Sequence, residues 1–243
     1  MSLLLIAAVL ALFVLPPWLT AVALIAAAVY GWHRHQALGG RRAGAGASSR
    51  ARARQLRTPL VRLATAVGIE TEAARLADRC EAGAVGEERV AALLEELTAA
   101  GWTVLPDRAL PSSNANVDLL VFSPEGVVFN VDAKQWSARS RYELTVRDGR
   151  LMHGKRDLTG RLRGLTYETR TLTNLLGVRV HSVAAVIGPL PAGAELRVDG
   201  VRIIPAADLC SVLRRLDRET IPQQRAARLI DTASRLLPPK TGR

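Results

Sequence analysis

The stretch VDLLVFSPEGVVFNVDAKQW, residues 117–136, decides the predicted fold because it reads as two apolar strands joined by a tight turn. Between the strands, Pro124-Glu125-Gly126 fits a three-residue loop made of a type I turn and a bulge, with glycine at the left-handed position. Such a loop pairs Ser123 with Val127. Since side chains alternate along a strand, this pairing assigns every residue of the hairpin to one of two faces.

One face of this hairpin is predicted to be apolar and the other to carry the charged groups, with Asp118 opposite Asp132. A four-residue loop would move Asp118 to the apolar face, so the pattern favours the bulged turn. The predicted apolar face consists of Val117, Leu119, Val121, Val127, Phe129, Val131 and Ala133. The predicted polar face consists of Asp118, Asn130, Asp132 and Lys134.

A helix is predicted before the hairpin, over GAVGEERVAALLEELTAAGW, and Gly101 is expected to end it. Its apolar stripe is predicted to contain Val90, Leu93, Leu94 and Leu97. Glu87 precedes Val90 by three residues and therefore continues the buried stripe, whereas Glu88, Glu95 and Glu96 fall towards solvent. A carboxylate that points into a core needs a partner.

Downstream patterns predict a second hairpin at Asp148-Gly149, a helix over residues 158–177, a buried strand over 178–188 and a short strand at 201–205. Residues 206–216 and the C-terminal tail are predicted to be helical, and residues 58–80 to form one or two short helices. This order indicates an α/β or α+β fold with a mixed sheet flanked by helices.

The N-terminal segment from Leu3 to Trp32 carries no charged side chain. A helix of this length exceeds a hydrocarbon core of about 30 Å, so a transmembrane segment is predicted. Because Pro16 and Pro17 lie in its middle, it forms either one kinked span, which we favour, or a re-entrant hairpin. A cleaved signal peptide is disfavoured because the apolar stretch is too long and no basic residue precedes it.

The segment after the apolar stretch, residues 33–62, contains eight arginines and no acidic residue. Such a flank stays on the cytoplasmic side and is expected to contact anionic lipid headgroups, although a solvated linker is the alternative. Without these arginines, the formal net charge of +11 falls to +3. The remaining chain is therefore only mildly basic. Its arginine-rich, lysine-poor composition indicates a bacterial protein, which places the predicted span in the inner (plasma) membrane.

The polar face of the hairpin has the groups needed for metal-assisted phosphodiester hydrolysis. Asp118 and Asp132 repel each other when they face each other on a sheet, and Glu87 adds to that repulsion. A divalent cation such as Mg²⁺ or Mn²⁺ relieves it and leaves room for a phosphate. Lys134 is then placed to hold or activate a water and to stabilise charge on phosphorus. The alternative is that Asp132 and Lys134 form an ordinary surface ion pair.

The constellation Gly83-x-x-Gly86-Glu87, the Asp118 strand, Val131-Asp132-Ala133-Lys134 and Trp136 resembles the nuclease-related domain (NERD) of the PD-(D/E)xK nuclease superfamily. The resemblance covers about residues 83–216. It implies that Asp118, Asp132 and the carbonyl of Ala133 hold Mg²⁺ or Mn²⁺, that Lys134 assists the attacking water and that Glu87 completes the catalytic site.

Two departures from the superfamily pattern are visible. Asp132 stands where the superfamily often has glutamate, which has a longer reach. The helix after the second hairpin offers Tyr167, Glu168 and Thr169 where the family often carries glutamine, and an ionised Glu168 would repel phosphate. Basic residues nearby are candidates for tracking a nucleic acid backbone, or equally form a solvated face. The candidates for nucleic acid binding are Gln135, Arg139, Arg141, Lys155 and Arg156.

Other functional classes find little support. Cys80 and Cys210 are far apart and lack metal-ligand spacing, so they are predicted to be plain thiols in a reducing compartment. His181 opens a buried strand and is predicted to be a hydrogen-bonded core residue rather than a ligand. Neither a catalytic Ser/His/Asp pattern nor a P-loop is present.

The sequence therefore predicts a single-pass, membrane-anchored, metal-dependent nuclease with a cytoplasmic domain, acting on DNA in preference to RNA. The alternatives are a catalytically silent domain that binds nucleic acid or a protein partner, and a membrane-proximal scaffold. The predicted organisation is a transmembrane segment at 1–35, a basic juxtamembrane linker with helices at 36–80, the nuclease-like domain at 81–217 and a helical tail at 218–243.

Overall fold

The computed structural model describes residues 44–111, 113–136 and 143–240, and these form a six-stranded mixed sheet covered by helices. The predicted transmembrane segment at 1–35 lies outside the described residues. Among the residues that are described, no helix has both the length and the apolar character needed to cross a bilayer.

The helices and strands follow the predicted order, with one long helix before the first strand. The helices are α1 Ala47–Leu56, α2 Pro59–Ala66, α3 Glu72–Leu93, α4 Glu95–Ala99, α5 Arg163–Leu176, α6 Leu209–Glu219 and α7 Ala226–Leu236, with short 3-10 turns at Thr159–Leu162 and Ala206–Asp208. The strands are β1 Thr103–Ala109, β2 Asn116–Phe122, β3 Val128–Gln135, β4 Leu144–Arg147, β5 Arg150–His153, β6 Arg156–Asp157, β7 Val180–Ile187, β8 Leu196–Val198 and β9 Val201–Pro205.

The main sheet has the strand order β1-β2-β3-β7-β9-β8. Strands β1, β2 and β3 are antiparallel neighbours, whereas β3, β7 and β9 run parallel to one another. Strands β4, β5 and β6 form a separate three-stranded sheet. The prediction of a mixed α/β fold with a mixed sheet flanked by helices is therefore confirmed.

The hairpin of β2 and β3 has the predicted register. Leu119 pairs with Val131, and the backbone N–H of Ser123 donates to the carbonyl of Val127 at 2.9 Å. The Ser123 hydroxyl accepts from the backbone N–H groups of Gly126 (3.2 Å) and Val127 (2.9 Å), which closes the loop. Gly126 has φ 104°, as the bulged turn requires. The second hairpin is also confirmed, since Arg147 pairs with Arg150 across Asp148-Gly149.

Helices pack on both faces of the main sheet, which creates a three-layer arrangement. On one face, α3, α4 and α6 pack on Leu119, Val121, Phe129 and Val131. On the other face, α5 and α7 pack on Leu120, Phe122 and Val128. Because the sheet is buried on both faces, polar side chains of β2 and β3 gather towards the end of the hairpin distant from its loop.

Several details differ from the sequence prediction. Val117 packs in the second cluster, with Leu120 and Phe122, instead of sharing a cluster with Leu119. The neighbouring residue of β1, Asp107, has φ 48°, and the β1–β2 ladder skips the position between Leu119 and Val117, which interrupts the regular alternation. Strand β8 was not predicted because a three-residue edge strand carries too little periodicity to detect.

The predicted helix before the hairpin is longer than the sequence indicated. Helix α3 is continuous through Cys80, where the sequence suggested a break. Val90, Leu94 and Leu97 are fully buried, as predicted, but Leu93 is 39% exposed because it lies at the edge of the stripe where α3 ends. Gly101 follows the last helical turn with φ 86°, consistent with its predicted role.

Substitution of Gly126 by alanine is expected to destabilise the protein by about 2–4 kcal/mol. Its positive φ disfavours any side chain, and an added Cβ would overlap the backbone carbonyl oxygen of Gln224, just before α7. Urea unfolding measures the loss. Gly83→Ala is the control: Gly83 is helical with open space around it, so alanine there should stabilise by up to about 1 kcal/mol. Equal effects at both positions would contradict this account of the loop.

Candidate active site

Strands β2 and β3 bring Asp118 and Asp132 to neighbouring positions at one end of the hairpin. The β2–β3 ladder ends at the pair of Leu119 and Val131, and Asp118 and Asp132 are the residues directly beyond that pair on the two strands. Asp132 is 6% exposed, and Asp118 is partly buried. Burial raises the pKa of Asp118 well above its usual range, and the nearby carboxylates of Asp132 and Glu87 raise it further. The predicted crowding of negative charge at this position is therefore present.

Glu87, on helix α3, lies near Asp118 and Asp132. These three carboxyl groups, with Glu168 and Lys134, form the acidic cluster. Glu87 is 5% exposed, in agreement with its predicted place on the buried stripe. Its Oε1 accepts a hydrogen bond from the hydroxyl of Ser49 at 2.8 Å, whereas its Oε2 has no hydrogen-bond partner among the described residues. Burial, with added repulsion from Asp107 and Asp132, raises the pKa of Glu87 to about 7, although Ser49 opposes the shift.

Lys134 provides the one ammonium group of the predicted catalytic set. Its Nζ forms an ion pair with Oδ2 of Asp132, two residues earlier on the same face of β3. Burial by itself would lower the pKa of Lys134, but Asp132, Asp118 and Glu168 outweigh it, so the pKa is raised. The side chains of Lys134 and Asp132 are 22% and 9% exposed. The pair is therefore not the ordinary surface ion pair considered as an alternative.

Glu168 on α5 belongs to the cluster, in addition to being a departure from the family pattern. Burial first, and then repulsion from Asp132, raise its pKa to about 7, while Lys134 and a hydrogen bond from Asn130 oppose the shift. A signal was present in the sequence. Glu168 lies three residues after Leu165 and four before Leu172, both fully buried, so it continues the buried stripe of α5 as Glu87 does in α3.

The first turn of α1 closes one side of the cluster, within the segment predicted as a juxtamembrane linker. The backbone N–H of Ser48 donates to Oδ2 of Asp107 at 2.8 Å, next to the contact between Ser49 and Glu87. The amide of Asn116 donates to Oδ1 of Asp107 at 2.9 Å. Sequence reasoning missed Ser49 and Asp107, because their positions depend on the packing of α1 against α3.

The residues fit a divalent cation by their chemistry. Asp132 and Glu87 lie close enough to Asp118 to raise its pKa, and Asp132 also raises the pKa of Glu87. The buried Oε2 of Glu87 has no hydrogen-bond partner among the described residues. A cation that screens this repulsion is the usual solution for such a group. Among the described residues, no group of three or more Asp, Glu, His or Cys side chains has the arrangement of a metal-binding site. The carboxyl groups therefore suit a divalent cation in the type and charge of their donor atoms, but they do not form a preformed ligand set.

Those predicted nucleic acid contacts that the structure describes lie on different elements. Gln135 is exposed at the end of β3 and packs beside Gly86, where an added Cβ would lie 3.4 Å from its Oε1. Lys155 and Arg156 are exposed on the small sheet. Arg139 and Arg141 lie outside the described residues.

The histidine and the two cysteines agree with their predicted roles as a hydrogen-bonded core residue and as plain thiols. His181 is partly buried, its Nε2 lies 3.3 Å from the hydroxyl of Thr220, and its ring packs 5.3 Å from that of Phe129. Cys80 and Cys210 are both free and partly buried.

The stability of the protein is expected to fall as the pH rises from 5 to 8, in part because of Glu168. Its folded pKa of about 7 lies above the unfolded value of 4.5, so the unfolded state releases its proton first and gains relative stability across that window. Glu168→Gln should remove roughly 2–3 kcal/mol of this pH dependence while changing stability little at pH 5. Urea unfolding at both pH values measures it, and an unchanged dependence in the variant would contradict the assigned pKa.

Comparison with known families adds one finding to this geometry. The family model described as nuclease-related domain (NERD) matches residues 82–187, a range that contains Glu87, Asp118, Asp132 and Lys134. Searches of curated proteins and of solved structures returned no match.

Proposed function

Because residues 82–187 of this chain belong to the nuclease-related domain family, consistent with the PD-(D/E)xK nuclease superfamily, we propose that the protein is a metal-dependent nuclease that hydrolyses phosphodiester bonds. One observation carries the proposal. Four acidic side chains and one lysine from four different elements converge within this domain, and burial, with added mutual repulsion, raises the pKa of three of the carboxyl groups. A protein gains nothing in stability from such crowding, whereas a catalytic site requires it.

Asp118, Asp132, Glu87 and the carbonyl of Ala133 are the groups that would hold Mg²⁺ or Mn²⁺. When bound, such a cation polarises a phosphoryl oxygen and makes a coordinated water more acidic. Glu87 has the free oxygen for this purpose, since its Oε2 has no described partner. Asp132 is already oriented by Lys134, which keeps one of its oxygens directed along the same strand face.

Lys134 acts as a positive charge in this proposal, not as a base. Its pKa is raised, so it remains an ammonium group at neutral pH and has no lone pair with which to accept a proton. It is placed to hold a water or phosphate oxygen and to stabilise charge that develops on phosphorus. Glu168, with a pKa of about 7, is able to accept or release a proton near neutral pH and is half protonated there.

Partial protonation of Glu168 reduces the repulsion of phosphate that is expected from a glutamate at this position. A protonated carboxyl is neutral and can donate a hydrogen bond to a phosphate oxygen. Asn130, which hydrogen-bonds to Glu168, also donates from Nδ2 to the hydroxyl of Thr169 at 3.1 Å, which fixes the side chains on this face of α5.

The proposed substrate is DNA in preference to RNA, and the proposed location is the cytoplasmic face of a bacterial inner membrane. The uncharged stretch from Leu3 to Trp32 and the arginines that follow support a single-pass anchor with contact to anionic lipids. Of the eight arginines, Arg50 and Arg57 instead form ion pairs with carboxylates of α3. A nuclease held there would meet DNA that enters the cell.

The competing proposal is a catalytically silent domain that binds nucleic acid or a protein partner. It is favoured by the ion pair of Lys134 with Asp132, which occupies one of the proposed ligands, and by the absence of a grouped ligand set among the described residues. Under this proposal the polar cluster would serve only to position strands.

Cleavage of circular and linear DNA, and of RNA of equal length, by the full chain tests the proposal in Mg²⁺, Mn²⁺ and EDTA. Nicking of the circle only when a cation is present, and its loss in Asp132→Asn, is the expected result. Intact nucleic acid under every condition, together with salt-sensitive binding by both proteins, would support the silent domain instead.

A further inference from the structure

A basic cavity of about 280 Å³ lies away from the acidic cluster, where β7 begins. Its walls come from one face of α5, the first residues of β7, and the turn between β8 and β9. Ser182, in its wall, pairs with Asn130 of β3, whereas Lys134 pairs with Val186. Four residues of strand therefore separate Ser182 from the position beside Lys134, or about 13 Å, whereas Thr169 in the cavity wall directly follows Glu168 in the chain.

Four arginines line this cavity: Arg170, Arg179, Arg197 and Arg202. Arg197 and Arg202 both form ion pairs with Glu195, which partly neutralises them. Arg170 and Arg179 are exposed and make no ion pair with the residues that the structure describes. One carboxylate, that of Asp199, is also part of the lining, so the lining retains an excess of positive charge.

A hydroxyl without a partner provides a second, independent observation. Ser182 is 9% exposed, and its Oγ makes no hydrogen bond to any described residue. A buried hydroxyl normally finds a partner, because leaving it unpaired costs stability. Its neighbour across the wall, Thr169, accepts a hydrogen bond from Asn130 and keeps its own hydroxyl proton for a further acceptor.

The pKa of His181 reflects the positive charge around this cavity. Burial lowers its pKa to about 4, and the positive charges of Arg179 and Arg202 contribute to the shift. The imidazole is therefore neutral at physiological pH. It adds no charge of its own, so the attraction for an anion comes from the arginines alone.

We propose that this cavity binds a small phosphate-bearing anion, such as pyrophosphate or the phosphate group of a nucleotide, through Arg170 and Arg179. The Oγ of Ser182 lies beneath the cavity surface and is not a direct contact of the anion. Guanidinium groups match the planar geometry of phosphate oxygens, and hydroxyl donors complete such sites. A concave site of this volume suits a compact anion, whereas a duplex needs a broad, open surface. The proposal does not rest on the proposed nuclease chemistry, although Asn130 hydrogen-bonds both to Thr169 in the cavity wall and to Glu168 of the acidic cluster.

Calorimetric titration of the full chain with inorganic pyrophosphate tests the proposal. We expect saturable binding with one site per chain, weakened roughly tenfold or more in Arg170→Ala/Arg179→Ala. The second variant is Arg170→Gln/Arg179→Gln, which keeps most of the side-chain volume. Because both arginines are exposed, neither double substitution should prevent folding. The melting temperature of each variant verifies this.

The matched control is Arg79→Ala/Arg89→Ala, which removes two exposed arginines with no described ion pair from α3, on the opposite face of the main sheet from α5. It should bind pyrophosphate as the wild type does. Asp118→Asn should also bind normally, which separates this site from the acidic cluster. No binding by the wild type, or weakening in the control double variant equal to that in Arg170→Ala/Arg179→Ala, would overturn the proposal.

A nucleoside monophosphate, the same nucleoside without phosphate and a short single-stranded oligonucleotide distinguish the possible sources of the phosphate. Binding of the monophosphate but not of the nucleoside supports a small-anion site. Binding of the oligonucleotide alone, lost in the cavity variants, would overturn the proposal and assign the cavity to a nucleic acid strand.

Discussion

Asp118→Asn is expected to make the protein more stable and at the same time to abolish cleavage of DNA. Burial and the neighbouring carboxylates of Asp132 and Glu87 raise the pKa of Asp118, so its ionised form is unfavourable in the folded state. Asparagine has the same shape and removes that charge. The stabilisation should increase with pH, because the ionised form becomes populated as the pH rises.

The loss of activity has a separate cause, since the amide cannot replace a carboxylate as a ligand for a divalent cation. We expect the cleavage rate to fall by about 10²-fold to 10³-fold or more. Thermal unfolding at pH 8 and a plasmid nicking assay measure the two effects. Asp148→Asn, in an exposed turn of the second hairpin, is the matched control and should change neither. A destabilised Asp118→Asn protein would contradict the account, because it would give the carboxylate a structural role.

Lys134→Met is expected to have the largest destabilising effect within the cluster. It leaves Asp132 without its ion-pair partner and leaves Asp118 and Glu168 without the nearby positive charge that opposes their raised pKa values. Removing one member of a mostly buried pair costs about 2–4 kcal/mol after allowance for partial exposure. The rate of cleavage should fall by about 10²-fold or more, because the charge near phosphorus is lost.

The destabilisation by Lys134→Met should be larger at pH 8 than at pH 5, since protonation of the remaining carboxyl groups relieves the unpaired charge at low pH. Urea unfolding at the two pH values measures it. Lys155→Met is the matched control: Lys155 is exposed on the small sheet, and its replacement should change stability by less than about 0.5 kcal/mol. Equal effects of the two substitutions would show that the ion pair with Asp132 is not formed.

Alternation of side chains and a single turn geometry were sufficient to predict the hairpin and its register from Leu119 and Val131 to the loop, and hence to bring Asp118 near Asp132. The same periodicity argument placed Glu87 in the core. It failed for Val117, because the left-handed backbone at Asp107 on a different strand interrupts the pattern, and nothing within residues 117–136 reports on that strand.

The parts of the site that escaped prediction come from contacts between elements distant in sequence. Ser49 reaches Glu87 across 38 residues, and α1 had been interpreted as a linker because of its arginines. Glu168 is the exception, because its spacing from the buried Leu165 and Leu172 within α5 is visible in the sequence. The basic cavity required three elements to be brought together, and no local pattern in the sequence indicates such a site.

The most direct test of the central claim is a titration of the full chain with Mn²⁺, followed by electron paramagnetic resonance, with wild type and Asp118→Asn compared at pH 8. The account predicts one bound Mn²⁺ per chain in the wild type, a matching rise in melting temperature, and loss of both in the variant. Equal binding by the two proteins, or no binding by either, would contradict the claim that these carboxylates form a divalent-cation site.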